Sequence, residues 1–475
     1  MVACPAFSGR CYYARREWRR CVDAGGGAGS VHMGAASGSA GVGAGGSGAN
    51  GAARVWGRRL VTLLAWLVTL PVVVIVVGAL FPPFRLIAVI GCLFESFFTV
   101  HIFLAGLVGV ALADWALRLG GRRATDVILW LAILATFGAA VPIFALHRMA
   151  QQNDAPISWT EHLRVAAPGP RATPDQTQLF ATVDGKSLYL DIYLPATAGS
   201  AASGSSPADA SASPSAMAMS MTPRPALSAP VVMIHGGGYS GGRRSDGRNW
   251  DRWFAARGYT VFDVDYRLDP PVTWNLAAPD VACAMAWVAS HANDYHIAPD
   301  RMLITGQSAG GGLAMQVAYG LGDGTVASDC GGTAPQPAAV FALYPPEDFA
   351  MAWNLDTGVA PASARVLNTG YIGGSPNQFS ERYRVVSPVF HVRAGLPPTL
   401  IAAGARDHLV PVGGHVEIMK ELNAVAMPNA VGVPYTFVSV PFGEHGYDIA
   451  WGSIGGQITR KIVADFLARF LPARE

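Results

Sequence analysis

The stretch Arg301 to Gly312, RMLITGQSAGGG, restricts the fold more than any other part of the chain. Met302 to Thr305 is apolar, with β-branched Ile304 and Thr305, and suits a buried strand. Gly306-Gln307-Ser308-Ala309-Gly310 follows at once. Leu313, Ala314, Met315 and Val317 then give an apolar helical face. A strand that turns straight into a helix around G-x-S-x-G needs small residues beside its apex. Gly306 and Gly310 let strand and helix approach, while Ser308 takes the strained position. The start of the helix aims free N–H groups at any oxyanion formed there. In a chain with 55 glycines the motif alone recurs by chance. The strand before it and the helix after it give it weight.

A length of 475 residues accommodates one large α/β domain and a second module. Only 14% of the residues are charged and the mean hydropathy is +0.30, too apolar for a wholly water-soluble chain. A net charge of +2 gives no case for a nucleic-acid partner. The cysteines are Cys4, Cys11, Cys21, Cys92, Cys283 and Cys330, with no C-x-x-C pair, so neither a zinc nor an iron–sulfur site is expected. Cys283 falls in a helical pattern as a small core residue. If its domain faces an oxidising space, it can instead pair with Cys330.

Residues 1–53 read as a disordered cytoplasmic N-terminus, with Arg10, Arg15, Arg16, Arg19 and Arg20 ahead of a Gly/Ala/Ser tract. The tract sets the first apolar run far from the terminus, so an ordinary cleaved signal peptide is not expected. Residues 54–150 read as three transmembrane helices: Leu60 to Phe81, Leu86 to Leu112 and Val127 to Leu146. Each is long enough to cross roughly 30 Å of hydrocarbon. Arg54, Arg58 and Arg59 flank the first span. Arg118, Arg122 and Arg123 lie in the gap from Asp114 to Asp126, whereas the earlier gap holds only Arg85. The positive-inside rule places the N-terminus in the cytoplasm and everything after about Ala150 outside it. Glu95 and His101 fall within the second span. A proton or ligand site between helices is one reading; the favoured one has both facing the bundle interior, the spans serving as an anchor.

Residues 151–177 read as a linker and 178–475 as an α/β domain, with a disordered Ala/Ser/Pro-rich insertion at 196–227. Asp184-Gly185 predicts a hairpin between strands at 178–183 and 187–193. The strand Val231 to Ile234 runs into His235-Gly236-Gly237-Gly238-Tyr239. Successive glycines let the backbone bend past a ligand with its N–H groups inward, and no G-K-[ST] follows, which argues against a phosphate loop. His235 is expected to hold this loop rather than act as a base. Arg267, just past the strand ending at Asp265, either pairs with a carboxylate in support of the site or belongs to a surface loop. Asp407 sits just past the strand Thr399 to Ala402, where α/β sheets place their sites. His445 lies between Gly443 and Gly446, after the strand Tyr435 to Val440. The order Ser308, Asp407, His445 is that of a hydrolytic triad. Glu444 and His408 adjoin triad members without being expected to replace one. The excursion from Glu347 to Pro398 forms a cap or acyl-pocket wall, or packs onto the domain.

Taken together, His235-Gly236-Gly237-Gly238, Asp265-Tyr266-Arg267-Leu268, Gly306-Gln307-Ser308-Ala309-Gly310-Gly311, Gly404-Ala405-Arg406-Asp407 and Glu444-His445-Gly446 resemble the α/β-hydrolase superfamily. The resemblance is nearest the hormone-sensitive-lipase-like and feruloyl-esterase-like (BD-FAE) carboxylesterases. It extends to membrane-anchored prenylcysteine methylesterase-like proteins. It implies an α/β fold with a mostly parallel central sheet, here preceded by three transmembrane helices. It further implies Ser308 as nucleophile, His445 as base and Asp407 as its orienting carboxylate. Oxyanion donors would be the N–H groups of Gly237, Gly238 and Ala309, with His235, Asp265 and Arg267 in support. No metal or organic cofactor is needed. The expected activity is a membrane-anchored carboxylic-ester hydrolase acting on a small-molecule or lipid-like ester. The alternatives are an amidase, peptidase or arylformamidase with the same triad, a non-enzymatic binding or adhesion module, and a membrane sensor or transport-associated protein using Glu95 and His101.

Overall fold

The described residues begin with three apolar helices: α1 (Gly48–Leu80), α2 (Arg85–Arg118) and α3 (Arg123–Gln152). In the computed structural model the described residues are 48–81, 84–121, 123–165, 173–195, 227–356, 363–425 and 433–472. Residues 1–47 and 196–226, with their expected disorder, lie outside them. The segments Arg54–Leu80, Arg85–Arg118 and Arg123–Gln152 are each long and apolar enough to cross a membrane, making this a multi-pass membrane protein. Helix α1 begins at Gly48, inside the tract read as irregular; its alanines favour helix and extend a helix already nucleated by the apolar run. The gap read as Asp114 to Asp126 is much shorter, since α2 continues to Arg118 and α3 starts at Arg123. Arg118 pairs with Asp114 one turn back at 2.8 Å and complements the helix C-terminus. Small residues bring the helices together: Gly109 lies against Thr69 and Gly106 against Thr136. Glu95 is buried, and neither carboxylate oxygen has a hydrogen-bond partner among the described residues. His101 Nε2 lies 3.2 Å from the Leu163 carbonyl.

The stretch read as a linker carries a short helix, α4 (Trp159–Leu163), capped by Ser158. It docks on the last helix of the chain through Arg460 to Glu161 at 2.7 Å and Gln457 Oε1, which accepts from the Ser158 N–H at 2.6 Å. A hairpin follows, β1 (Gln176–Val183) and β2 (Lys186–Tyr193), turning at Asp184-Gly185. Then come β3 (Pro230–Ile234), α5 (Arg248–Ala255), β4 (Thr260–Val264), α6 (Ala277–Ser290), β5 (Leu303–Gln307), α7 (Ala309–Asp323) and β6 (Ala339–Leu343). The excursion holds α8 (Phe349–Leu355), α9 (Ala364–Ile372) and α10 (Ser380–Val386). The chain closes with β7 (Thr399–Gly404), α11 (Val412–Val425), β8 (Tyr435–Val440) and α12 (Ile454–Phe470).

The eight strands form one sheet in the order β1-β2-β4-β3-β5-β6-β7-β8. The pairs β1–β2 and β2–β4 are antiparallel and the rest parallel. Strands β3, β4, β6 and β7 are buried throughout, as apolar runs covered on both faces must be. Val232, Ile234 and Ile304 point into one core with Val281 and Leu313; Val231, Met233 and Leu303 point into the other with Trp250, Phe254 and Ile458. Cys283 on α6 is disulfide-bonded to Cys330. The parallel strands leave the ends of β3, β5, β7 and β8 along one edge, where the loops carrying the candidate residues meet.

Candidate active site

Ser308 joins β5 to α7 with φ 53° and ψ −119°. A non-glycine residue held there costs about 1–3 kcal/mol and persists only where its surroundings fix it. The fixing contacts are short. The Ser308 N–H donates to the Leu343 carbonyl at 2.8 Å, and the Gly312 N–H donates to the Ser308 carbonyl at 3.0 Å. A Cβ on Gly310 would run into the carbonyl oxygens of Ile234 and His235, and one on Gly306 into the backbone of Gly310. Both positions therefore require glycine.

Ser308 Oγ lies 2.8 Å from His445 Nε2, and His445 Nδ1 lies 2.7 Å from Asp407 Oδ2. A carboxylate only accepts, so Nδ1 carries the proton and Nε2 accepts from the serine hydroxyl. Asp407 is aimed by its other oxygen, which accepts from the N–H groups of Leu409 at 2.9 Å and Val410 at 2.7 Å. The loops after β7 and β8 are stitched together: Ala405 N–H donates to the Val440 carbonyl and Arg406 N–H to that of Gly443, both at 2.9 Å. Burial disfavours a charged imidazole, but the Asp407 carboxylate outweighs it and raises His445 above its ordinary value of 6.5. The structure thus brings together three residues separated by as many as 137 positions.

Gly237 and Gly238 take φ of 113° and 61°, conformations that side chains rarely permit. With Ser308 and His445 they line a cavity of about 620 Å³. Leu367, Leu409 and Ile449 supply apolar walls, so the excursion reaches the site through Leu367 on α9, whose side chain lies against Gly238. Ala309 begins α7 directly behind Ser308.

The BD-FAE family profile matches residues 221–422. This part of the chain is thus similar to the BD-FAE family of α/β-hydrolases. Over 243 residues the chain is 29% identical to the probable carboxylic ester hydrolase LipM of Mycobacterium tuberculosis, covering 51% of this chain and 54% of LipM. It is 27% identical over 248 residues to esterase LipQ of the same organism, covering 51% and 56%. The chain thus spans little more than half the length of these relatives. Among solved structures, apo esterase 2 of Thermogutta terrifontis is similar at 22% identity and a TM-score of 0.46, covering 64% of this chain and 98% of that one.

Within the α/β domain the remaining candidates separate. His235 is buried beneath the glycine turn, its Nδ1 2.7 Å from the Gly236 carbonyl and its ring stacked on Tyr266. Burial pushes its imidazole down, toward the neutral form. Arg267 pairs with Asp280 at 2.7 Å and Asp184 at 2.7 Å, joining α6 to the β1–β2 turn. Asp265 pairs with Arg244 at 2.6 Å. Neither Asp265 nor Arg267 is among the residues lining the cavity.

Two carboxylates matter more than the sequence suggested. Glu444 accepts from the N–H groups of His408 at 2.8 Å and His445 at 3.0 Å, and its other oxygen lies 2.6 Å from His408 Nδ1. Buried Asp448 accepts from Trp250 Nε1 at 2.7 Å, the Tyr344 hydroxyl at 2.8 Å and Gln307 Nε2 at 3.3 Å. It thereby braces the residue before Ser308 and the ring packed 4.7 Å from His445. Its only sequence signal is a carboxylate three positions beyond His445. Cys92, His408 and Glu444 come within 4.8 Å of one another. Both Glu444 oxygens already accept hydrogen bonds, so a cation there would have to displace them.

Proposed function

We propose that this protein is a membrane-anchored serine hydrolase of carboxylic esters. The observation that carries the reading is the Asp407–His445–Ser308 chain, at 2.7 and 2.8 Å, beside the Gly237-Gly238 turn. His445 Nε2 takes the serine proton as Oγ bonds to the acyl carbon. The carbonyl oxygen becomes an oxyanion facing the N–H groups of Gly237, Gly238 and Ala309. The tetrahedral intermediate collapses, the C–O bond to the alcohol breaks, and His445 protonates the departing alcohol. Water then gives up a proton to His445 and attacks the acyl-enzyme, releasing the acid and Ser308. Asp407 holds the tautomer and stabilises the imidazolium. Its backbone bonds to Leu409 and Val410 keep it aimed at the imidazole.

The cavity walls favour an apolar acyl group. Among the described residues no lysine or arginine lines the cavity, and Leu367, Leu409 and Ile449 supply its apolar surface. Ile449 is 69% exposed, and Leu355 and Val366 in the excursion are also exposed. A lipid-like ester fits this surface. The test is hydrolysis by the full-length protein in detergent of p-nitrophenyl esters of increasing length beside matched anilides. Butyrate and longer esters outpacing acetate, with anilides slower still, supports the reading. Anilides outpacing esters replaces it with an amidase, and a folded protein inert on both refutes it.

The raised imidazole gives a prediction with a definite sign. The reaction requires neutral His445, so kcat/KM climbs with pH through a midpoint above 6.5. An acid limb below that value would mean that burial, rather than the Asp407 carboxylate, dominates the imidazole.

The arginine asymmetry supports a cytoplasmic N-terminus and an extracytoplasmic hydrolase domain. The Cys283–Cys330 disulfide supports the same orientation, since such bonds persist in oxidising compartments. Protease added to intact cells is expected to cleave the domain after α3; full protection would reverse the orientation.

A further inference from the structure

Helix α2 does more than cross the membrane. It packs closely on α1 where Gly109 meets Thr69, and again where Gly91 meets Gly78. Between these crossings α2 covers about 27 Å of axis and α1 only about 14 Å. Helix α2 must therefore bend, and it does so at Phe98, which leaves helical geometry at φ −119° and ψ 27°. The segment ahead of the bend, from Arg85, contacts the loops that carry Asp407 and His445.

Two of its side chains reach those loops. Buried Ser96 accepts from the Glu444 N–H at 2.9 Å and donates to the Cys92 carbonyl at 2.7 Å, so both capacities of its hydroxyl are used. Arg85 donates to the His408 carbonyl at 2.5 Å. Glu444 and His408 are the chain neighbours of His445 and Asp407, and the Glu444 carboxylate binds both His408 and the His445 N–H. One helical segment thus grips both loops at the residue beside each triad member, and a carboxylate joins the two grips.

We infer that α2, through Ser96 and Arg85, positions the Ser308–His445–Asp407 site, so that turnover depends on a span the reacting atoms never touch. The inference rests on the ester-hydrolase reading above. A span serving as a tether alone would leave turnover at each intact site unchanged. Loops released by about 1 Å lose up to a hundredfold in rate.

The experiment uses purified full-length protein in detergent, with p-nitrophenyl butyrate as substrate and active sites counted by a fluorophosphonate. Ser96→Ala is expected to lower kcat per labelled site roughly tenfold to a hundredfold, with KM within about twofold. Ser96→Thr, which keeps the hydroxyl, restores most of it, and Arg85→Gln repeats the loss. Leu107→Ala, exposed on the same helix away from the loops, leaves the rate unchanged. Wild-type kcat per site in both Ser96→Ala and Arg85→Gln overturns the inference. Should Ser96→Ala aggregate, Arg85→Gln decides alone by the same criterion. A folded wild-type protein that neither hydrolyses the ester nor takes the label refutes the ester reading instead, a distinguishable result.

Discussion

Ser308→Ala is expected to lower ester hydrolysis by about 10⁶ in kcat. Only the attacking oxygen is removed. The Ser308 N–H to Leu343, the packing of Gly306 against Gly310 and the apolar walls all involve other atoms. Binding should therefore survive, with KM for any residual activity near that of the wild type. Steady-state kinetics on a C4 or longer ester, beside a near-ultraviolet CD spectrum to show intact packing, reads both quantities. A variant retaining more than about a thousandth of the rate would place the nucleophile elsewhere, since a missing triad nucleophile leaves only oxyanion and binding contributions.

Asp407→Asn is the second large effect, with a fall of about 10⁴. The asparagine side chain fits the same space, and its oxygen still accepts from Leu409 and Val410. Its amide nitrogen donates, however, and so forces the proton from His445 Nδ1 to Nε2, away from the role of base. The pH dependence must also move. Burial lowers the His445 value and Asp407 raises it above 6.5. Without the carboxylate, burial dominates and the acid limb of kcat/KM shifts to lower pH. Linkage gives the matching statement for stability. A group raised in the folded state stabilises most below its unfolded value, and loses that contribution as pH rises through the folded one. The gap in Tm between wild type and Asp407→Asn is thus wider at pH 5 than at pH 9. An acid limb that stays in place in the variant would mean that Asp407 does not control the imidazole.

The elements that carry the three residues were legible because each is a short apolar run closed by turn chemistry. Tyr435 to Val440 is the clearest case, its bounds in the fold being those read from alternation alone. The glycine bend after Ile234 was legible because positive φ selects residue type strongly. What escaped were features whose meaning lies in distant partners. Asp448 gathers Trp250, Gln307 and Tyr344 from 198, 141 and 104 positions away, and no local pattern marks a carboxylate so used. Ser96 was hidden differently. Hydropathy reads Leu86 to Leu112 as one continuous span, and a single hydroxyl hardly alters that signal, yet its partner lies 348 positions on. Arg267 shows the converse. The sequence allows it a carboxylate pair in support of the site or a place in a surface loop; the carboxylates it meets, Asp280 and Asp184, tie a helix to a hairpin.

The most direct test of the acyl-transfer account is to treat the intact protein in detergent with a fluorophosphonate and map the adduct by peptide mass spectrometry. The account predicts one phosphonyl group, on the peptide containing Ser308, absent when His445 is replaced by alanine. Stoichiometric labelling of another residue with Ser308 unmodified, or none at all in a protein shown to be folded, would contradict it.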